Sequence, residues 1–201
     1  MINSVDYQPT FTGRWLCKGR KSKRKVFDDF ISLDTETSHN HDADNPVGWV
    51  YQWALCIGND TVVGRKPSEL IATLNKIAEY IGADSKNVIF VYVHNLAYDM
   101  AYLYPFIKEA WGECKILAIA NHKYISLSVG AFEFRCSYKL SNRSLEKWAD
   151  DLKTEHRKLV GAIDYESIHT QSEELTSIDW EYQLLDIYTL RDCVKKQMYI
   201  Y

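Results

Sequence analysis

The sequence predicts one α/β domain in which a mixed central sheet is flanked by helices. Apolar runs rich in β-branched residues are followed by segments whose apolar residues recur at helical spacing, so the period changes from two to about 3.6. The length of 201 residues suits one such domain with a substantial core. No internal repeat, low-complexity tract or interdomain linker divides the chain.

The first half of the chain is predicted to form three strands and a helix. A buried strand is expected over residues 26–37, VFDDFISLDTET, and a hairpin over GWVYQWALCIGN and TVVGR. A helix should begin at Pro67 and Ser68 and stop at Gly82, because glycine commonly ends a helix. Its apolar residues have helical spacing: Leu70, Leu74, Ile77 and Ile81.

The second half alternates strands and helices in the same way. NVIFVYVHN is predicted to be a strand, followed by a helix in LAYDMAYLYPFIKEAWG that stops near Gly112. KYISLSVG and AFEFRCSYKL should pair as a second hairpin. A helix beginning at Ser144 then leads through the loop GAIDYESIHT to a long last helix over about residues 177–197.

The N-terminal residues are more basic than the rest of the chain. The net charge of −3 argues against a broad basic face that coats duplex DNA. We nevertheless predict a basic N-terminal arm over residues 1–25, either solvated and partly disordered or in contact with nucleic acid, ahead of a domain over residues 26–201. The basic residues of this stretch are Arg14, Lys18, Arg20, Lys21, Lys23, Arg24 and Lys25.

Composition predicts a cytoplasmic protein without a membrane segment. The five cysteines stand singly, without a C-x-x-C pair, which favours reduced thiols. The N-terminus lacks the apolar region of a secretory signal, and no segment approaches the roughly 20 apolar residues of a membrane helix.

Acidic residues follow two of the predicted strands. Asp34 and Glu36 end the first strand two residues apart, so their side chains leave the same face and suit a metal. Acids that cap the following loop would give the same pattern. Asp99 begins the helix after NVIFVYVHN, at the sheet edge where α/β folds collect ligand-binding groups. A favourable interaction with the helix dipole would also explain Asp99.

The last predicted helix contains two Tyr-x-x-x-Asp pairs. Tyr182 and Asp186 form the first pair, and Tyr188 and Asp192 form the second. Residues four apart share a helix face. The six-residue offset turns one pair by roughly 240° from the other, so only one pair can face a given site.

These motifs resemble, in order, those of the exonuclease domain of family B DNA polymerases, particularly the protein-primed branch of phages and mobile elements. D-x-E is matched at Asp34-Thr35-Glu36, the second motif at Asn95, Tyr98 and Asp99, and Y-x-x-x-D in the last helix. The branch also has a Ser-Leu pair that opens a helix, as at Ser144 and Leu145, and an I-D-Y tripeptide, as at residues 163–165. The resemblance spans roughly residues 26 to 198.

The resemblance implies a ribonuclease H-like fold of the DEDD exonuclease type and a site with two Mg²⁺ or Mn²⁺ ions. The expected metal ligands are Asp34, Glu36, Asp99 and Asp186. Asp186 is preferred to Asp192 because Asp186-Ile187 and the later Leu190 fit the family pattern. Tyr182 would orient the attacking water, since a phenol with a pKa near 10 is a poor base at neutral pH. The residues expected to bind nucleic acid are Thr37, His94, Asn95, Tyr98, Ser144, Leu145 and Tyr165.

One position departs from the family pattern. The protein-primed branch carries a lysine shortly before I-D-Y, where this chain has Val160, and Lys158 stands two residues earlier. Lys158 is either a substitute or an ordinary surface charge.

The implied activity is 3′ to 5′ removal of nucleoside 5′-monophosphates from single-stranded or frayed DNA, as in proofreading by a DNA polymerase. The implied partners are the 3′ end of single-stranded DNA and, in addition, a polymerase domain and a terminal protein. The implied location is the cytoplasm, which is the host cytoplasm for a phage-encoded protein. The alternatives are a module that binds DNA or terminal protein without cutting, and a stand-alone oligonucleotide or RNA exonuclease.

Overall fold

The computed structural model of the chain describes residues 1–17, 23–42, 44–121, 123–159 and 167–200. Strands and helices follow one another in these ranges largely as the sequence predicts. The strands are β1 (Ile2–Asn3), β2 (Trp15–Cys17), β3 (Lys25–His39), β4 (Gly48–Ile57), β5 (Asp60–Gly64), β6 (Asn87–Val93), β7 (Lys115–Ala118), β8 (Tyr124–Val129) and β9 (Phe132–Cys136). The helices are α1 (Pro67–Ile81), α2 (Leu96–Trp111), α3 (Tyr138–Ser141), α4 (Leu145–Leu152) and α5 (Ser177–Ile200).

The strands of the described ranges form one mixed sheet in the order β1-β5-β4-β3-β6-β9-β8-β7, and β2 pairs with β3 beside this path. The central strands β3, β6 and β9 run parallel, whereas β3-β4-β5 and β7-β8-β9 are antiparallel. Parallel strands bring their carboxyl ends to one edge of the sheet. This arrangement confirms the predicted mixed sheet and places the ends of β3 and β6 side by side.

Helices cover the two faces of the sheet differently. On one face, a large apolar cluster joins the sheet to α1 and α2, with Leu70, Leu74 and Leu103 fully buried. On the other face, a smaller cluster packs α4 and α5 against β3, β4 and β6 around Trp148 and Ile187. No helix in the described ranges is long and apolar enough to cross a membrane.

Most predicted elements are confirmed, and the differences are local. Both hairpins form, α1 ends at Ile81 and is capped by Gly82 in the left-handed region (φ 66°), and α4 begins after Ser144. The strand expected through AFEFRCSYKL instead ends at Cys136, and residues 138–141 turn into the short helix α3. The short strands β1, β2 and β7 have no signal in the sequence pattern.

Residues 1–17, assigned above to a basic arm, pack on the sheet. β1 pairs with β5 and β2 with β3. Tyr7 is fully buried, and its hydroxyl donates to the Asp60 carboxylate over 3.0 Å. The backbone N–H of Thr10 donates to the same carboxylate over 2.8 Å, and the Phe11 ring meets Phe27 edge-on. Burial of the Tyr7 and Phe11 rings therefore holds this segment against the sheet. The charge pattern of the segment did not indicate this packing. Lys18, Arg20 and Lys21 lie outside the described residues.

Because Tyr7 fills part of the core, Tyr7→Ala should lower the free energy of unfolding by about 3–5 kcal/mol. Val5→Ala is the matched control, since Val5 is 72% exposed and its truncation should change stability by less than about 0.5 kcal/mol. Urea denaturation followed by tryptophan fluorescence measures both variants. Equal stability of the two variants would show that residues 1–17 do not contribute to the folded core.

Candidate metal and active site

The site lies where β3 and β6 end together. Leu33 pairs with Val93 in the parallel register, so Asp34 on β3 lies beside His94, which follows β6. Asn95 then takes the left-handed backbone conformation (φ 67°, ψ 52°), and α2 begins at Leu96. This sharp turn brings Asp99, in the first turn of α2, back to the end of the sheet.

Three of the four predicted acidic ligands converge. Asp34, Glu36 and Asp186 each present a carboxylate oxygen, and these oxygens lie within 4.8 Å of one another. Asp34 and Glu36 share a strand face, and α5 crosses that face. The Gln183 side chain on α5 donates to Asp34 Oδ2 over 2.9 Å. Two residues of β3 and one residue of α5 thus form one carboxylate cluster.

Asp99 is buried beside this cluster but is not one of the three converging carboxylates. Its Oδ1 accepts a hydrogen bond from the Thr35 hydroxyl over 2.7 Å. Thr35 stands between Asp34 and Glu36 on β3, so its side chain leaves the opposite face of the strand. The hydrogen bond therefore connects α2 to the central residue of the D-x-E motif.

Burial and mutual repulsion raise the pKa values of these acids. Burial is the largest cause for Asp34, whose pKa stands well above its usual value, with the Glu36, Asp186 and Asp99 charges adding to the rise. Burial also raises the pKa of Glu36 to about 8, and the Asp186 charge adds to this rise. Burial raises the pKa of Asp99 to about 7. A cation at the cluster would reverse this penalty on the charged forms.

Lys158 lies within the cluster. Its Nζ is 2.5 Å from Asp186 Oδ2 and 4.9 Å from the centre of the Tyr182 ring. Burial alone lowers the pKa of an ammonium group, but the Asp186 carboxylate outweighs it and leaves the pKa of Lys158 above its ordinary value. Lys158 therefore contacts both members of the Tyr-x-x-x-Asp pair. Val160 lies outside the described residues.

The second Tyr-x-x-x-Asp pair points elsewhere. Asp192 Oδ2 lies 2.9 Å from His156 Nδ1 and accepts the backbone N–H of His156 over 3.1 Å. The Tyr188 ring packs against the His156 ring with centroids 5.1 Å apart. The structure thus directs Asp186, rather than Asp192, towards Asp34 and Glu36.

Arg65 is one of several residues that hold the loop before α5. Arg65, just after β5, donates to the carbonyl oxygens of Tyr51, Thr170 and Glu173 over 2.7 to 2.8 Å. His169 of the same loop stacks on the Tyr51 ring with centroids 4.7 Å apart. These contacts hold the loop that leads into α5 against β4 and the end of β5.

The residues predicted to bind nucleic acid fall into two groups around the cluster. The Thr37 hydroxyl and the Tyr98 phenol are hydrogen-bonded at 2.5 Å, and Tyr98 is 49% exposed. His94 hydrogen-bonds Ser137 Oγ at 3.0 Å, and burial lowers its pKa to about 4, so its ring is neutral at neutral pH. Asn95 follows His94 in the chain, and its carbonyl oxygen accepts the backbone N–H of Tyr98 over 2.9 Å.

The remaining predicted binding residues have mainly structural contacts. The Ser144 hydroxyl accepts the backbone N–H of Lys147 and caps α4, while Leu145 is buried in the apolar cluster beneath α5. Both also border the open cavity beside His94. Tyr165 lies outside the described residues. Ser137, which contacts His94, and Gln183, which contacts Asp34, were not predicted because neither belongs to a recognisable motif.

Comparison with known proteins supports the fold. No protein-family model and no curated protein matches the chain. Among solved structures, the chain is similar to Phi29 DNA polymerase complexed with single-stranded DNA, with a TM-score of 0.70 and 15% identity over 86% of this chain and 32% of that one. Similarity to Phi29 DNA polymerase complexed with primer-template DNA and incoming nucleotide substrates has a TM-score of 0.68, again with 15% identity, over 86% of this chain and 31% of that one.

These matches show that the chain shares its fold with part of a DNA polymerase. The chain spans about a third of the length of those polymerase chains. The predicted resemblance to DNA polymerases is thereby supported at the level of fold. Its assignment to a proofreading exonuclease stays a prediction.

The raised pKa values predict how stability depends on pH without metal. In the folded protein Glu36 and Asp99 bind protons with pKa values of about 8 and about 7, whereas their ordinary values are 4.5 and 3.8. The stability contributed by these protons is lost as pH rises through the folded values. In chelator, the free energy of unfolding should therefore fall as pH rises from about 4.5 to about 8, by about 1.4 kcal/mol per pH unit for each proton that the folded state holds and the unfolded state has lost.

Glu36→Gln should flatten this dependence, because the amide does not titrate. Glu79→Gln at an exposed position of α1 is the control and should keep the wild-type slope. Urea denaturation at several pH values measures all three proteins. A wild-type slope that Glu36→Gln leaves unchanged would contradict the electrostatic account.

Proposed function

We propose that the chain is a metal-dependent 3′ to 5′ exodeoxyribonuclease of the DEDDy type, which releases nucleoside 5′-monophosphates from single-stranded or frayed 3′ ends. We further propose that it serves as the proofreading domain of a family B DNA polymerase. The observation that carries the proposal is the convergence of Asp34, Glu36 and Asp186 within 4.8 Å, with Lys158 and Tyr182 beside Asp186.

The cluster suits divalent cations. Its donor atoms are carboxylate oxygens, which Mg²⁺ and Mn²⁺ prefer. Asp186 Oδ1 is buried and has no hydrogen-bond partner among the described residues, so an acceptor is available there. Asp34, Glu36 and Asp186 would hold the ions, with Asp99 as the predicted fourth ligand. Two bound ions would supply an activated water and stabilise the departing 3′ oxygen.

The chain's own side chains would position the reacting groups. Lys158 lies against both the Asp186 carboxylate and the Tyr182 ring, which share one face of α5, and would hold these side chains in place. Tyr182 would orient the attacking water through its hydroxyl, while its own proton stays in place. Gln183 holds Asp34 by donating to its carboxylate.

Lys158 also favours cutting over binding alone. The binding-only alternative rests on the absence of a lysine at Val160. Lys158 brings an ammonium group to the cluster from two residues earlier in the chain. The structurally similar Phi29 DNA polymerase is found in complex with single-stranded DNA and with primer-template DNA, which supports DNA as the substrate. The polymerase domain and terminal protein stay predicted partners.

The direct test is digestion of single-stranded DNA and RNA in Mg²⁺, with the label at either end. DNA should shorten from its 3′ end and release mononucleotides, because the cluster would act on the terminal phosphodiester bond. Chelator should abolish the reaction, and RNA should be cut more slowly. Internal cleavage or release from the 5′ end would overturn the proposal, and faster cutting of RNA would favour the oligonucleotide or RNA exonuclease alternative.

Substitutions on α5 test the assignment of the site. Asp186→Ala should lower metal-dependent cleavage by roughly 10³-fold, since several kcal/mol of charge stabilisation depend on the ions. Tyr182→Phe should slow cleavage roughly tenfold, the effect of one lost hydrogen bond. Asp192→Ala is the matched control on the same helix, because Asp192 contacts His156 instead. Greater loss of cleavage in Asp192→Ala than in Asp186→Ala would contradict this assignment.

A further inference from the structure

An open cavity of about 780 Å³ adjoins the carboxylate cluster. Its volume lies within the range of roughly 300–1,000 Å³ that is usual for ligand pockets. Lys158 and His94 border it near the cluster, and the cavity extends from there to the base of the β8-β9 hairpin. There it is lined by Lys123, Tyr124, Tyr138 and Lys139. None of these four residues belongs to the motifs that identified the site.

Sheet topology brings the hairpin residues to the same edge as the carboxylates. β9 runs parallel to β6, and Cys136 pairs with Val93, so the chain leaves β9 beside His94. Tyr138 and Lys139 follow immediately in α3. β8 runs antiparallel to β9, so its first residue, Tyr124, lies at this same end. The cavity is therefore a lateral continuation of the proposed active site.

The lining combines ammonium groups with aromatic rings. Lys123 is exposed, and Lys139 Nζ lies 5.2 Å from the centre of the Tyr138 ring. Tyr138 is 36% exposed and meets the His94 ring at 5.8 Å. Glu146 is the acidic residue of the lining, against three lysines. Single strands are held by such sites through stacking on aromatic rings and charge contacts with phosphates.

We propose that this cavity binds the nucleotides immediately 5′ to the terminal one. Lys123 and Lys139 contact their phosphates, and Tyr124 and Tyr138 stack against their bases. The order of the strand, with its 3′ end at the carboxylates, rests on the function proposed above. The binding itself rests on the cavity, its charge and its aromatic rings. A strand too short to reach the hairpin loses these contacts.

Binding of a fluorescent single-stranded oligothymidylate tests the inference. Anisotropy is measured in chelator, which prevents cleavage, over a series of salt concentrations. Lys123→Gln combined with Lys139→Gln should reduce the slope of log K against log salt by about 1.4, or 0.7 for each lost phosphate contact. Lys86→Gln combined with Lys195→Gln removes the same charge outside the cavity lining and should keep the wild-type slope. Tyr138→Ala should weaken binding about 5- to 100-fold.

A second measurement separates this inference from the proposed function. The wild-type protein is given the p-nitrophenyl ester of thymidine 5′-monophosphate with Mg²⁺, a substrate too short to reach the hairpin. If the ester is hydrolysed but the cavity and control variants bind the oligonucleotide alike, the cavity inference is overturned and the exonuclease stands. If neither the ester nor end-labelled single-stranded DNA is hydrolysed in Mg²⁺ but the cavity variant loses salt dependence, the exonuclease proposal fails and strand binding in the cavity is supported.

Discussion

Burial of like charges at the end of two parallel strands is the constraint on which the site depends. Burial raises the pKa values of Asp34, Glu36, Asp99 and Asp186, and the charges of neighbouring acids add to the rise at Asp34 and Glu36. Carboxylates in such surroundings are costly to ionise without compensating positive charge. Lys158 supplies one such charge at Asp186, and the cluster as a whole has the composition of a cation site.

The fold tolerates this cost because the two faces of the sheet carry apolar clusters of different size. The face beneath α1 and α2 carries the larger apolar cluster, including Trp53, Ile77 and Phe134. The face beneath α4 and α5 has a smaller apolar cluster, and Asp186 belongs to the helix that covers it. Hydrophobic burial on the first face thus offsets electrostatic strain near the second. Because the charged groups lie where the strands end, they stay outside both apolar clusters.

Several contacts outside the carboxylates determine the geometry of the cluster. Arg65 holds the loop before α5, and Trp148 on α4 donates to Gln197 near the end of that helix over 3.2 Å. Thr35 joins β3 to α2 through Asp99. These residues position the strands and helices that carry the carboxylates. The β8-β9 hairpin, which forms part of the same sheet, borders the lysine- and tyrosine-lined cavity beside the site.

The sequence by itself determined the elements and part of the site. Periodicity located the two hairpins and α1, α2 and α5, and the two-residue spacing of Asp34 and Glu36 placed both side chains on one strand face. Helix geometry left the choice between Asp186 and Asp192 open, and only the resemblance to a family pattern favoured Asp186. The tertiary structure decided that Asp192 faces His156, that Lys158 reaches Asp186, and that Tyr7 belongs to the core. The reason is physical: periodicity reports the direction of a side chain within its own element, whereas these contacts depend on how separate elements pack against one another.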